Sequence, residues 1–162
     1  MKDSRKTSHK TNAARILDQL GIPYELREYP VDENDLSALH VAEAIGEDPE
    51  KLFKTLILQG NNDPYLVVVI PGNAQVDLKK TAKVSGNKNC ELLPMKELLP
   101  VTGYIRGGCS PVGMKKHFPT YIEELALLQD KIIISAGKRG LQLVLRPQDL
   151  IIATEAQFAD LI

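Results

Sequence analysis

Residues 53–70 have the sequence FKTLILQGNNDPYLVVVI. Two apolar segments, 53–59 and 65–70, flank the polar residues Asn61-Asn62-Asp63. This pattern predicts two antiparallel strands joined by a turn. Since every position from Val67 to Ile70 is apolar, we expect the second strand to be central in its sheet and covered on both faces.

Further elements are predicted on both sides of this hairpin. Helical spacing of apolar residues, with suitable capping residues, indicates helices over 11–20, 37–45, 77–84 and 94–99, and one that begins at Pro147. Extended segments are expected over 24–29, 90–92, 131–135 and 141–146. Because several strands are linked as hairpins, we expect an α+β fold with a mixed sheet rather than a doubly wound parallel sheet.

The composition is that of a soluble globular protein. A length of 162 residues suits one domain, which we expect over 11–162 after a flexible polar lead, 1–10. The formal net charge is −1, so contact with a nucleic acid would need a local basic patch. Two cysteines form no disulfide framework, and the polar N-terminus lacks the apolar core of a signal peptide. We therefore expect a reduced, cytoplasmic protein without membrane contact.

Lys54 is the lone charged residue of the first predicted strand. Burial of an ammonium without a partner is costly or lowers its pKa strongly. Two interpretations remain open. Lys54 lies at an edge and extends its amine to solvent, or it lies at the mouth of a pocket and binds an anionic or carbonyl group.

The turn Gly107-Gly108-Cys109-Ser110-Pro111 is rich in residues that let backbone amides approach a ligand. Such amides can polarise a carbonyl group, although Gly-Gly and Ser-Pro pairs also mark ordinary turns. A nucleophilic Cys109 would need a base, and His117 is the candidate. Neither that pair nor a metal site is favoured, since no cluster of ligand residues has metal-binding spacing.

A second turn, Gly137-Lys138-Arg139-Gly140, places two cations between two predicted strands. It is either a solvated turn or a phosphate contact, in which arginine binds in bidentate fashion. Lys115 and Lys116 can add to the same positive field. These four side chains are our candidates for contact with a nucleic acid.

The ordered set of motifs resembles the YbaK/ProX family of aminoacyl-tRNA deacylases, which includes the editing domain of bacterial prolyl-tRNA synthetases. The resemblance covers residues 11–162 and is strongest with the free-standing Cys-tRNA(Pro) deacylases. The motifs that carry it are Phe53-Lys54-Thr55-Leu56, the segment 103–113 (GYIRGGCSPVG) and the segment 135–141 (SAGKRGL).

The resemblance implies a mixed, partly barrel-like β-sheet flanked by helices. It also implies removal of mischarged cysteine from tRNA(Pro), with neither cofactor nor metal, by attack of the substrate's own thiol on its ester. Prolyl-tRNA synthetase is the implied partner. Lys54 matches the family lysine that holds the aminoacyl-adenosine end, and it is the implied catalytic residue. The implied substrate-binding residues are Tyr29, Thr55, Gly107, Gly108, Cys109, Ser110, Pro111, Ser135 and Gly137.

The chain departs from the family pattern at two positions. Ala136 replaces a frequent glycine, and Gln142 stands where some relatives have aspartate. The segment 32–39 also aligns poorly. These departures leave the amino acid specificity open, so a deacylase for alanine or another small residue is one alternative. A non-catalytic module that binds aminoacyl or nucleotide ends is another, and a hydrolase that uses the Cys109 thiol is a third.

Overall fold

The computed structural model describes residues 10–162. The flexible lead expected over 1–10 therefore lies outside the described residues, except for Lys10. The helices are α1 (Asn12–Gln19), α2 (Ala38–Ile45), α3 (Leu78–Ser85), α4 (Leu98–Thr102) and α5 (Pro147–Thr154). The strands are β1 (Glu25–Glu28), β2 (Phe53–Gly60), β3 (Leu66–Pro71), β4 (Cys90–Leu92), β5 (Thr120–Glu123), β6 (Ile132–Lys138), β7 (Leu141–Leu145) and β8 (Gln157–Ala159).

Capping side chains begin three of the helices as their sequences predict. The hydroxyl of Thr11 accepts a hydrogen bond from the backbone of α1, and Ser37 and Asp77 do the same for α2 and α3. Both α2 and α3 end at a glycine with positive φ, Gly46 and Gly86. Local sequence therefore sets the ends of these helices.

The strands form two sheets, with orders β1-β7-β6 and β4-β2-β3-β5-β8. The β2–β3 and β6–β7 pairs are antiparallel, whereas β5 pairs in parallel with both β3 and β8. A single parallel bridge, Leu52–Ile133, links the sheets. This confirms the mixed α+β fold, with the two sheets approaching each other at that bridge and not closing into a barrel.

Three apolar clusters hold the elements together. The largest lies between α1, α5 and one face of β6 and β7, which includes Leu141, Leu143 and Leu145. The opposite face of that sheet, with Ile133 and Val144, packs against α2. The third cluster joins α3 to β2, β3 and the C-terminal residues. As expected, every residue of β3 is buried.

The sequence did not predict β5 or β8. Both are short, and each pairs in parallel with a strand distant in sequence. No helix within residues 10–162 is long and apolar enough to cross a membrane.

Candidate functional site

A cavity of about 430 Å³ opens between α2, the first half of β2 and the α2-facing side of β6 and β7. The rest of its wall comes from Leu92, Leu93, Met95, Leu98, Arg106, Gly107 and Cys109. The wall is mostly apolar, with a few polar side chains. Such a combination is typical of a site for a small ligand or for one end of a large one. The polar and sulfur-bearing side chains that line it are Tyr29, Ser37, Lys54, Thr55, Met95, Arg106, Cys109, Ser135 and Gln142.

Lys54 lies on the part of β2 that borders this cavity. Its neighbour in the sheet is Ile70 of β3, whereas β4 pairs only with residues from Leu58 onward. The strand β4 therefore does not cover β2 beside Lys54. Within residues 10–162 no carboxylate forms a salt bridge with this lysine.

Partial burial lowers the pKa of the Lys54 amine below its usual value, because a low-dielectric environment disfavours the charged form. An ammonium group without a counter-charge at a cavity is suited to bind a carbonyl or phosphate oxygen. Of the two interpretations from sequence, the position of Lys54 favours the pocket.

Thr55 follows Lys54 in β2 and carries an unpaired polar group. Its hydroxyl oxygen is buried and has no hydrogen-bond partner within the described residues, and Thr55 lines the same cavity. Buried polar atoms in folded proteins are nearly always paired. Within the described residues, no group completes the bonding of this hydroxyl.

The two glycine-rich turns lie against each other. A Cβ atom on Gly108 would lie 2.9 Å from the Cα of Lys138 and 3.0 Å from the backbone nitrogen of Arg139. The Nε of Arg139 also donates a 2.8 Å hydrogen bond to the carbonyl of Arg106. Gly107 has φ +83°, which favours glycine, and it faces the cavity. The contact between the turns therefore positions Gly107 and Cys109.

The predicted substrate-binding residues divide into two groups. Tyr29, Thr55, Gly107, Cys109 and Ser135 line the cavity together with Lys54. The others lie behind its wall, and a direct contact between them and a ligand stays a prediction: Gly108, Ser110, Pro111 and Gly137.

Ser110 and Gly137 make hydrogen bonds or close packing contacts behind the cavity wall. The buried Ser110 hydroxyl accepts a hydrogen bond from the backbone of Val112, whose carbonyl accepts a 2.5 Å bond from the hydroxyl of Tyr104. A Cβ on Gly137 would lie 3.0 Å from the ring of Tyr104. Burial raises the pKa of Tyr104 to about 12, so this hydroxyl remains a donor. These residues support the loop that carries Gly107 and Cys109.

Cys109 is poorly suited to act as a nucleophile. Burial raises the pKa of its thiol to about 12, whereas a reactive cysteine needs a lowered pKa. His117 is exposed, and its Nε2 lies 3.8 Å from a carboxylate oxygen of Glu155. No group of three or more His, Cys, Asp or Glu residues among positions 10–162 could hold a metal ion.

The candidate nucleic-acid contacts are more dispersed. Lys115, Lys116 and Lys138 are exposed, and Lys115 also donates from Nζ to the carbonyl of Pro100 at 3.3 Å. The side chain of Arg139 is partly engaged by Arg106. Of these four, Arg139 lies closest to the cavity wall through its contact with Gly107.

Arg106 and Gln142 line the cavity but were not selected as site residues from the sequence. The sequence does distinguish Gln142, because it is the lone polar residue in the buried strand LQLVL. Lys54 is likewise the lone charged residue in its strand. The cavity-lining apolar residues Leu92, Leu93, Met95 and Leu98 were also missed, since nothing local distinguishes them from core residues.

Comparisons with known proteins agree with this architecture. Residues 33–152 match a family model described as an aminoacyl-tRNA editing domain. A relative from Enterococcus faecalis, named as a proposed Cys-tRNA(Pro)/Cys-tRNA(Cys) deacylase, EbsC, is 51% identical over 97% of this chain and 96% of its own length. Proline–tRNA ligases of Staphylococcus aureus are 21% identical over 85% of this chain, which matches 22% of their length.

One solved structure, of a proposed trans-editing enzyme for prolyl-tRNA synthetase, has a TM-score of 0.80 and 25% identity. The match covers 93% of this chain and 97% of the solved one. The family match spans most of the chain and includes both Lys54 and the glycine-rich turn at 107–111. The chain belongs to the aminoacyl-tRNA editing domain family.

Proposed function

We propose that this chain removes mischarged cysteine from tRNA(Pro) by cleavage of the aminoacyl ester. The observation that carries the proposal is the cavity itself. It combines an ammonium without a counter-charge, an unpaired hydroxyl and a small volume, and its one thiol is protonated at neutral pH. The E. faecalis relative, whose name proposes this substrate, supports the assignment.

The reaction needs no protein nucleophile when the substrate carries its own. The thiol sulfur of the bound cysteine attacks the ester carbonyl carbon, and a C–S bond forms as the thiol loses its proton. The C–O bond to the ribose then breaks, and the ribose oxygen takes up a proton. The product is a four-membered cyclic thioester, which water opens to free cysteine.

In this scheme the chain's residues position the ester and stabilise charge. The proposed role of the Lys54 ammonium is to stabilise negative charge on the carbonyl oxygen. The backbone at Gly107 and the hydroxyl of Thr55 orient the aminoacyl group so that the sulfur and the carbonyl approach each other. Serine and alanine esters also enter such a cavity but have no thiol with which to cyclise.

The rest of the substrate is the tRNA, and we propose that it makes few contacts with this chain. With a net charge of −1, the chain has little long-range attraction for a polyanion, so binding depends on Arg106, Lys138, Arg139 and nearby cations. Prolyl-tRNA synthetase is the proposed partner that would deliver the acceptor end, and cytoplasm is the proposed location.

The test is release of labelled cysteine from Cys-tRNA(Pro), run beside Ala-tRNA(Pro) and Ser-tRNA(Pro). The wild type should release cysteine selectively. Lys54→Ala should lower the rate by about 10²–10³-fold, as removal of one preorganised charge at a reacting oxygen does. An unchanged melting temperature would show that the variant is folded. Full activity of Lys54→Ala would refute the site assignment.

Other outcomes select the alternatives. Faster release of alanine than of cysteine would assign the chain to a deacylase of different specificity. Saturable binding of an aminoacyl-adenosine analogue without release, even with prolyl-tRNA synthetase added, would indicate the non-catalytic module.

A further inference from the structure

Gln142 is a polar side chain in the middle of a buried strand. It is 6% exposed, and its neighbours Leu141 and Leu143 are fully part of the core on the opposite face. It pairs across the sheet with Ser135 on one side and Arg27 on the other. Residues paired in this way share a face, so Gln142 lies on the side that borders the cavity.

The amide of Gln142 has no hydrogen-bond partner within residues 10–162. Its neighbour Ser135 is engaged, since the Ser135 hydroxyl accepts a bond from the backbone of Gly137 at 3.1 Å. Although the residue is largely buried, its amide is not among the enclosed side-chain atoms that lack a partner, so the amide is reached from the cavity. The Gln142 amide therefore gives the cavity a polar group that is free to bind a ligand.

The charges around the cavity are all of one sign. Lys54 and Arg106 line it, and no Asp or Glu among the described residues does. Tyr29 and Cys109 are its other titratable lining groups. Arg27, beside Gln142 in the sheet, is paired with Glu47 at 2.6 Å, so that carboxylate is already neutralised. A positively charged group that entered would find no counter-charge.

We propose that Gln142 is a substrate-binding residue that binds the α-amino group of the aminoacyl ester in its uncharged form. A neutral amine has donors for the amide oxygen and a lone pair for the amide N–H, so both halves of the Gln142 amide are satisfied. A protonated amine satisfies only the oxygen and is repelled by Lys54. The inference rests on the proposed function and adds which part of the substrate this residue recognises.

The test uses two stable analogues of the substrate end. Both are 3′-amino-3′-deoxyadenosine acylated through an amide bond, one with L-alanine and one with propionic acid. They differ only by the α-amino group, so the ratio of their dissociation constants isolates its contribution. Effects of Lys54 on the part that the two analogues share cancel in the ratio. The Gln142 variants keep Lys54, so comparison with them separates the contribution of the amide from repulsion between Lys54 and a protonated amine.

For the wild type, the alanyl analogue should bind about tenfold more tightly at pH 9, as expected for one well-placed hydrogen-bonding group. The preference should disappear at pH 6, below the usual amine pKa of about 7.7–8.0. Gln142→Met keeps the side-chain length without the amide and should give a ratio near one at both pH values. Gln142→Glu supplies a carboxylate and should prefer the alanyl analogue at pH 6.

An unchanged ratio in Gln142→Met, or a wild-type preference at pH 6 as large as at pH 9, would overturn the inference. If Gln142→Met does not fold, Gln142→Asn serves instead, since it withdraws the amide by one methylene and should lose most of the preference. Equal binding of both analogues to the wild type at pH 9, abolished in Lys54→Ala, would refute the role of Gln142 and leave the proposed function standing. No binding of either analogue would refute both.

Discussion

Replacement of Gly108 by alanine tests the contact between the two glycine-rich turns. The added Cβ would lie 2.9–3.0 Å from backbone atoms of Lys138 and Arg139, whereas ordinary contacts are 3.4 Å or longer. The turns must therefore separate by roughly 0.5 Å, and no flexible side chain can absorb the overlap. Overpacking of this kind costs about 1–3 kcal/mol of unfolding free energy.

The same displacement reaches the cavity, because Gly107 and Cys109 flank Gly108 and line it. Small misplacements of positioning groups reduce rates strongly, so we expect Gly108→Ala to lower deacylation about tenfold as well. Urea denaturation gives the stability change, and cysteine release from Cys-tRNA(Pro) gives the rate.

Gly46→Ala is the matched control for the Gly108 variant. Gly46 also needs glycine, since its φ is +72°, but nothing lies within 4 Å of an added Cβ and it does not line the cavity. It should lose about 1 kcal/mol of stability with activity unchanged. A Gly108→Ala protein as stable and as active as the wild type would refute the proposed packing of the two turns.

Two further predictions concern residues away from Lys54. Cys109→Ser should retain activity within about tenfold of the wild type. A thiol with a pKa of about 12 is protonated at neutral pH and cannot be the attacking group. Loss of all activity in this variant would favour the thiol hydrolase. Asn87→Ala should lower the unfolding free energy by about 1–3 kcal/mol without affecting kcat. The Asn87 amide oxygen accepts hydrogen bonds from the backbone of Asn62 (2.7 Å) and Asp63 (3.1 Å), so its loss leaves two turn amides unpaired; an unchanged urea midpoint would contradict this.

Lys54 was recognised from sequence because its charge interrupts an apolar strand. The same reasoning applies to Gln142, which interrupts the buried strand β7, but a neutral amide is a weaker signal than an ammonium. Arg106 carried no such signal, because charged residues are ordinary in loops and only the fold brings it to the cavity. A site residue could be recognised from sequence only where its polarity differs strongly from that of its neighbours in the chain.

The glycine-rich turn at 107–111 had an ambiguous sequence. Its composition predicted backbone amides open to a ligand, and Gly107 does face the cavity. Gly108, in contrast, is required by close packing against Lys138, which lies 30 positions away in the chain. A glycine leaves room for a ligand or for another backbone, and only the neighbouring atoms distinguish the two.

The sequence by itself determined four of the five described helices, the hairpins β2–β3 and β6–β7, and the family. The helix expected over 94–99 lies at Leu98–Thr102 instead. These features depend on side-chain periodicity and on residues close together in the chain. The tertiary structure decided the parallel pairing of β5 with β3 and β8, the contact between the two turns, and the group of residues around Lys54. Those contacts join segments tens of residues apart, so they depend on how sheets and helices pack, which no local pattern specifies.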